Sequence, residues 1–207
     1  MRRLALVLAL SLSCAAACAA EQVRAAAPFT SISVQGPISV TVDAGKAQTI
    51  LVRGNDRFVS GLTSEVVNGE LRLGMRDKNL SAGKGEQRVL VTVPALRAFK
   101  AEGAGETLLN NIRGERFDLS YRGAGRLVIN GQVKSLKMRA EGVGEVDAKA
   151  LVANEADVRF QGIGDVKVHA KDRLDTVVQG MGTLTYYGKP RNINNSVQGI
   201  GSVDAGD

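Results

Sequence analysis

Six Gly-x-Gly triplets punctuate the second half of the chain: Gly103-Ala104-Gly105, Gly123-Ala124-Gly125, Gly142-Val143-Gly144, Gly162-Ile163-Gly164, Gly180-Met181-Gly182 and Gly199-Ile200-Gly201. Their first glycines are 20, 19, 20, 18 and 19 residues apart. One triplet constrains little, but six in near-constant register require a repeating backbone. The flanking residues alternate with period two. Ala101, Tyr121, Ala140, Phe160, Val178 and Val197 precede the triplets, and Thr107, Leu127, Val146, Val166, Leu184 and Val203 follow them, with mostly polar residues between. Period two is the signature of a strand with one buried face. Each repeat therefore reads as strand, glycine bend, strand and turn. The middle residue of each triplet is expected to point inward, with its glycines outward or in backbone conformations that other residues resist. A unit of about 19 residues cannot bury its own apolar face, whereas stacked units can. The expectation is an all-β solenoid in which each strand pairs with its equivalent in the next coil.

Stacking would bring equivalent outward residues about 4.8 Å apart. Just before the triplets these are Glu102, Arg122 and Glu141, followed by Gln161, Gln179 and Gln198. Just after them come Glu106, Arg126 and Glu145, then Asp165, Thr183 and Ser202. Both rows alternate in sign over the same three coils, which avoids stacking like charges. Arg122 is expected between Glu102 and Glu141, and Arg126 between Glu106 and Glu145. A further outward row carries Lys100, Ser120, Arg139 and Arg159. Such a basic stripe could hold an anionic glycan, or simply be a solvated strand face.

The N-terminal third is less regular. Residues 29–42 alternate well, residues 50–53 and 89–93 read as strands, and Asn68-Gly69 signals a hairpin between two apolar runs. Residues 77–86 are polar and read as a loop. No linker divides the chain after residue 20, so residues 21–207 are expected to form one domain, with regular repeats from about residue 96. The irregular part would supply the first coils and cap the stack.

Residues 1–20 have a different character. Arg2-Arg3, an apolar run from Leu4 and an Ala-rich exit before Glu21 are the layout of a secretory leader. The apolar run is shorter than the roughly 20 residues needed to span a bilayer, and no transmembrane segment is expected in the mature chain. Cleavage after Ala20 fits better than a lipidated Cys18, because Ala15 stands where lipoprotein leaders usually carry Leu; a lipoprotein is the runner-up. The chain is expected in the periplasm, on the outer membrane surface or outside the cell. Both cysteines, Cys14 and Cys18, lie in the leader, so no disulfide can staple the mature domain. Losing Arg2 and Arg3 leaves 25 basic against 21 acidic residues, a net charge near +4. That is mildly basic, and with aromatics not interleaved among the basic residues it does not favour nucleic acid.

Several of these segments are familiar together. The opening Phe29-Thr30-Ser31-Ile32-Ser33-Val34, the step Gly36-Pro37-Ile38, the approach Val93-Pro94-Ala95-Leu96 and the Gly-Ala-Gly and Gly-Ile-Gly triplets resemble the head GIN domain family of auto-transporter adhesins. The resemblance extends over residues 28–207. It implies a right-handed parallel β-helix-like solenoid and a role in cell adhesion, with no catalytic residues to carry over. The family name reflects Gly-Ile-Asn triplets, whereas here the third position is Gly.

The residues argue against chemistry. No third glycine stands where a dinucleotide fingerprint needs one. The position after each triplet is Glu, Arg, Glu, Asp, Thr and Ser, not the regular Asp of calcium-binding repeats. His169 is the only histidine, expected to be exposed in a turn and without triad partners. No catalytic residue, metal or cofactor is expected. The favoured function is a non-catalytic envelope or secreted binding module whose ligand is a glycan or an envelope protein. A polysaccharide-active β-helix enzyme or a structural envelope protein are the alternatives. Val197, Ile200 and Val203 near the chain end are expected to leave a strand edge suited to self-association.

Overall fold

The computed structural model describes residues 20–76 and 87–206. The leader through residue 19 and the polar segment 77–86 lie outside the described residues. The described chain is all-β: β1 (Ala20–Val23), β2 (Ser31–Gln35), β3 (Ser39–Ala44), β4 (Thr49–Gly54), β5 (Leu62–Val67), β6 (Glu70–Met75), β7 (Arg88–Val93), β8 (Ala98–Tyr187) and β9 (Asn192–Ala205), with one short helix, α1 (Asp56–Gly61). The strands form one open sheet in the order β1-β4-β7-β3-β8-β2-β6-β5, with β9 added on β8.

The repeat spacing sets the register. β9 pairs in parallel with the last part of β8 at a constant offset, from Arg173 opposite Asn192 to Tyr186 opposite Ala205. β2 and β3 pair in parallel with the start of β8, Ile32 opposite Phe99 and Val42 opposite Leu109. Within β8 the triplets lie on one another: a Cβ on Gly123 would overlap the Gly103 carbonyl oxygen, one on Gly142 that of Gly123, and one on Gly162 that of Gly142. Segments one repeat apart therefore run side by side.

The irregular N-terminal part has its own local causes. Asn68 and Gly69 take φ of 52° and 76°, as a tight hairpin turn requires, and join β5 and β6 in antiparallel pairing. β6 then lies parallel to β2, and β7 parallel to β3. β4 runs antiparallel to β7, and β1 antiparallel to β4. Helix α1 is capped by Asn55, whose side-chain oxygen accepts the Phe58 amide at 2.8 Å, and it buries Phe58.

Alternation of burial follows the alternation of the sequence. β3 and β7 bury every second residue completely, and Phe99, Leu119, Met138 and Val158 form an inward row through β8. Each such side chain contributes roughly 1.5–3 kcal/mol of hydrophobic stabilisation. The triplets, however, face opposite to the expectation. Val143, Ile163, Met181 and Ile200 are 56%, 48%, 47% and 79% exposed. Counting by twos explains this: Ala101, Gly103, Gly105 and Thr107 share the inward phase, while Ala104 shares the outward phase of Glu102 and Glu106. The glycines occupy the inward phase because the backbone of the adjacent repeat fills the place of a side chain.

One inward group is unsatisfied. Among the described residues, the Tyr121 hydroxyl is the buried side-chain polar atom without a hydrogen-bond partner. Burial pushes its pKa up. An unpaired buried hydroxyl costs about 1–3 kcal/mol. Tyr121→Phe should therefore raise stability by about 1 kcal/mol, seen as a higher denaturation midpoint at unchanged m-value. A lower midpoint would show that the hydroxyl has a partner.

Candidate functional site

The outward face around the triplets presents parallel rows of side chains in register. The middle residues form an apolar ridge that grows from Ala104 and Ala124 through Val143 and Ile163 to Met181 and Ile200. As the ridge enlarges, its flanks lose charge: Glu102, Arg122 and Glu141 give way to Gln161, Gln179 and Gln198 on one side. On the other side, Glu106, Arg126 and Glu145 give way to Asp165, Thr183 and Ser202. The ridge thus carries exposed apolar area where its surroundings are nearly neutral.

Arg122 lies between two carboxylates, with Nε 2.8 Å from Glu141 and a guanidinium nitrogen 3.9 Å from Glu102. The hydrogen bond to Glu141 raises the Arg122 pKa, and the hydrogen bond from Lys100 holds Glu102 below the usual carboxylate range. Arg126 turns to Glu145 at 3.3 Å, while Glu106 is held by Arg88 at 2.7 Å. Lys167 also reaches Glu145 at 2.8 Å, and its hydrogen bond is the main cause of that carboxylate's lowered pKa. The amide row continues the pattern, with Gln179 Nε2 donating to Gln198 Oε1 at 3.1 Å. Exposed pairs of this kind contribute little and are screened by salt. Arg122→Glu would place three carboxylates in one row, so a modest loss of melting temperature at low salt is expected, with most of it recovered on adding salt. A loss unaffected by salt would point to packing instead.

On the strand side that precedes the triplets, Lys100, Arg139 and Arg159 lie about half exposed. They line a cleft of about 480 Å³ whose floor is formed by buried Phe99, Leu119 and Met138. The sequence pattern marks the basic row of this cleft but not its depth, which arises between side chains of neighbouring repeats.

Over residues 28–190 the chain matches the model of the family described as "Putative auto-transporter adhesin, head GIN domain". The chain belongs to this family. A structure from Bacteroides fragilis, named a "putative adhesin", is 20% identical with a TM-score of 0.76, covering 92% of this chain and 98% of that one. A "putative adhesin" from Parabacteroides distasonis is 17% identical with a TM-score of 0.56, covering 91% and 97%. From the same organism, a "Putative lipid binding protein" is 18% identical with a TM-score of 0.50, covering 91% and 97%. At these identities the likeness is one of fold. No curated protein matches the chain.

In this head GIN domain, His169 is half-buried rather than exposed. Its Nδ1 lies 3.3 Å from the Lys149 carbonyl oxygen, its polar contact among the described residues. Among the described residues no group of three or more His, Cys, Asp or Glu could hold a metal ion, and no helix is long and apolar enough to cross a membrane. Sequence reasoning located the charged rows of the domain but missed the ridge, because apolar identity was given more weight than the count of residues along the strand.

Proposed function

We propose that the mature chain is a non-catalytic binding or adhesion module of the cell envelope or extracellular space, built as a right-handed parallel β-helix-like solenoid. The constant 19-residue offset of β9 on β8 and the glycine-on-glycine contacts support successive coils of one stack. Membership of an adhesin family supports the binding role. The observation that carries it is the exposed ridge at Val143, Ile163, Met181 and Ile200. Contiguous exposed apolar residues give a domain no packing energy and commonly mark an interaction surface. A ridge standing out from a rigid sheet suits contact with a partner's surface.

Export follows from the leader, with cleavage after Ala20. The start of the mature chain is tied to the domain: Glu21 pairs with Arg53 at 2.7 Å, and the Arg24 guanidinium donates to the Val59 and Leu62 carbonyls at 2.6 and 2.7 Å.

The test compares mature protein with Ile163→Ser/Met181→Ser for retention on whole cells and isolated envelopes. Both positions are surface positions, so the melting curve should move by no more than about 0.5 kcal/mol equivalent. Retention should fall clearly in the variant. Equal retention would remove the ridge from the binding surface. New reducing ends released from envelope polysaccharide would overturn the non-catalytic reading.

A further inference from the structure

Three clefts run together along the strand side that precedes the triplets. The largest, about 480 Å³, has Lys100, Arg139 and Arg159 on its walls. A second, about 320 Å³, shares Arg139 and Arg159 and continues to Gln161 and Gln179. A third, about 370 Å³, shares Asp157 and Arg159 and reaches Asn194 and Ser196. Each is of a size that holds a small ligand. Because they share walls, they form one trench crossing repeat after repeat, a shape for a linear polymer rather than a compact metabolite.

One row of this side carries no acid. Arg72, Ser33 and Lys100 are opposite one another in the sheet. Ser120, Arg139 and Arg159 hold the same place in later repeats, each three residues before its first glycine. The four cations of the row are 48–56% exposed. Acids do lie nearby, but most are occupied. Asp118 is held by Arg116 at 2.8 Å, Glu70 by Arg72 at 2.9 Å and Glu102 by Lys100 at 2.8 Å. Glu141 takes the close bond from Arg122 and leaves Arg139 at 3.9 Å, and Arg159 stands 3.6 Å from Asp157. Arg139 and Arg159 are therefore only loosely held by the acids of the trench, and Lys137 on the same wall adds a further positive charge. Around the largest cleft five basic residues face three acidic ones.

The trench also lacks a platform for neutral sugars. The aromatic residues that line it, Phe99 and Phe160, belong to the inward phase and are 1% and 4% exposed, so no ring face is open for a pyranose to stack on. Recognition must then come from charge and hydrogen bonds. Successive repeats present their side chains about 4.8 Å apart. One sugar of an extended chain advances by a comparable distance.

We propose that this trench binds a linear polysaccharide of uronic acid units, lying across the repeats with Arg139 and Arg159 on successive carboxylates. The proposal rests on the reading of the chain as an exported binding module and names the ligand class of one of its faces.

Calorimetric titration of the mature protein with an oligogalacturonate and with a neutral cello-oligosaccharide of equal length tests it. The oligogalacturonate should bind, with affinity falling as salt is added, and the neutral oligomer should not. Arg139→Gln/Arg159→Gln should weaken binding about tenfold. The charge-matched control Arg126→Gln/Lys134→Gln, away from the trench, should stay within about twofold. Failure of the oligogalacturonate to bind, equal binding of the neutral oligomer, or wild-type binding insensitive to salt would each overturn the proposal, the last without any variant. Full affinity in the folded Arg139→Gln/Arg159→Gln protein would overturn it as well. A sulfated oligosaccharide that binds where the oligogalacturonate does not would overturn the uronate assignment. Ridge-dependent retention on cells without oligogalacturonate binding would sink this inference and leave the binding-module reading standing.

Discussion

Gly142→Ala is expected to destabilise the protein by about 4 kcal/mol, lowering the melting temperature by about 10 °C. Two costs combine at this position. Its φ of +128° is one that side-chain-bearing residues rarely adopt. A Cβ there would also overlap the Gly123 carbonyl oxygen, and backbone cannot move aside as a flexible side chain can. Relief would require the two repeats to separate at the bend. Gly69→Ala is the control. Gly69 has φ of +76° but nothing within 4 Å of the added carbon, so only the conformational cost of about 1 kcal/mol should appear. Paired thermal melts measure the difference. Equal effects at the two positions would show that the triplets serve the bend alone and not the approach of one repeat to the next.

Phe99→Ala should cost about 3–5 kcal/mol. Phe99 is 1% exposed and among the largest fully buried side chains of the domain. It lies opposite Ile32, which in turn lies opposite Leu71, in the inward row that joins the irregular N-terminal strands to the first regular repeat. Neighbours held in a hydrogen-bonded ladder cannot collapse into the space, so the transfer and cavity terms should both be felt. Denaturant unfolding followed by circular dichroism measures the loss. Ile200→Ala, at a side chain 79% exposed, should stay within about 0.5 kcal/mol. A cost below about 1 kcal/mol for Phe99→Ala would mean that the junction repacks.

Much of the arrangement was legible because strands report their partners through simple periods. Alternation by twos in residues 29–42 and around the triplets translated largely into alternating burial, with Ser33 buried out of phase between Ile32 and Val34, since successive side chains leave opposite faces. Asn68-Gly69 announced the β5–β6 hairpin, because both positions need positive φ. Glu102, Arg122 and Glu141 could be aligned from spacing alone, and Arg122 does lie between the two carboxylates. The outward ridge was equally countable, yet it was assigned inward because Val143, Ile163 and Met181 are apolar. The strand phase decides direction, and the backbone of the adjacent repeat leaves no inward room at the bend.

The sequence by itself determined the all-β character, the register of the repeats and the rows that share a face, because all three are consequences of period. It did not contain the antiparallel placement of β4 against β7 and β1 against β4, or the short helix α1, which belong to no repeat. Nor did it contain the choice Arg122 makes of Glu141, which leaves Arg139 weakly held beside the trench. Long side chains on neighbouring strands have several partners within reach. Which pairs close is settled by differences such as 2.8 against 3.9 Å at Glu141, and only the assembled sheet sets those.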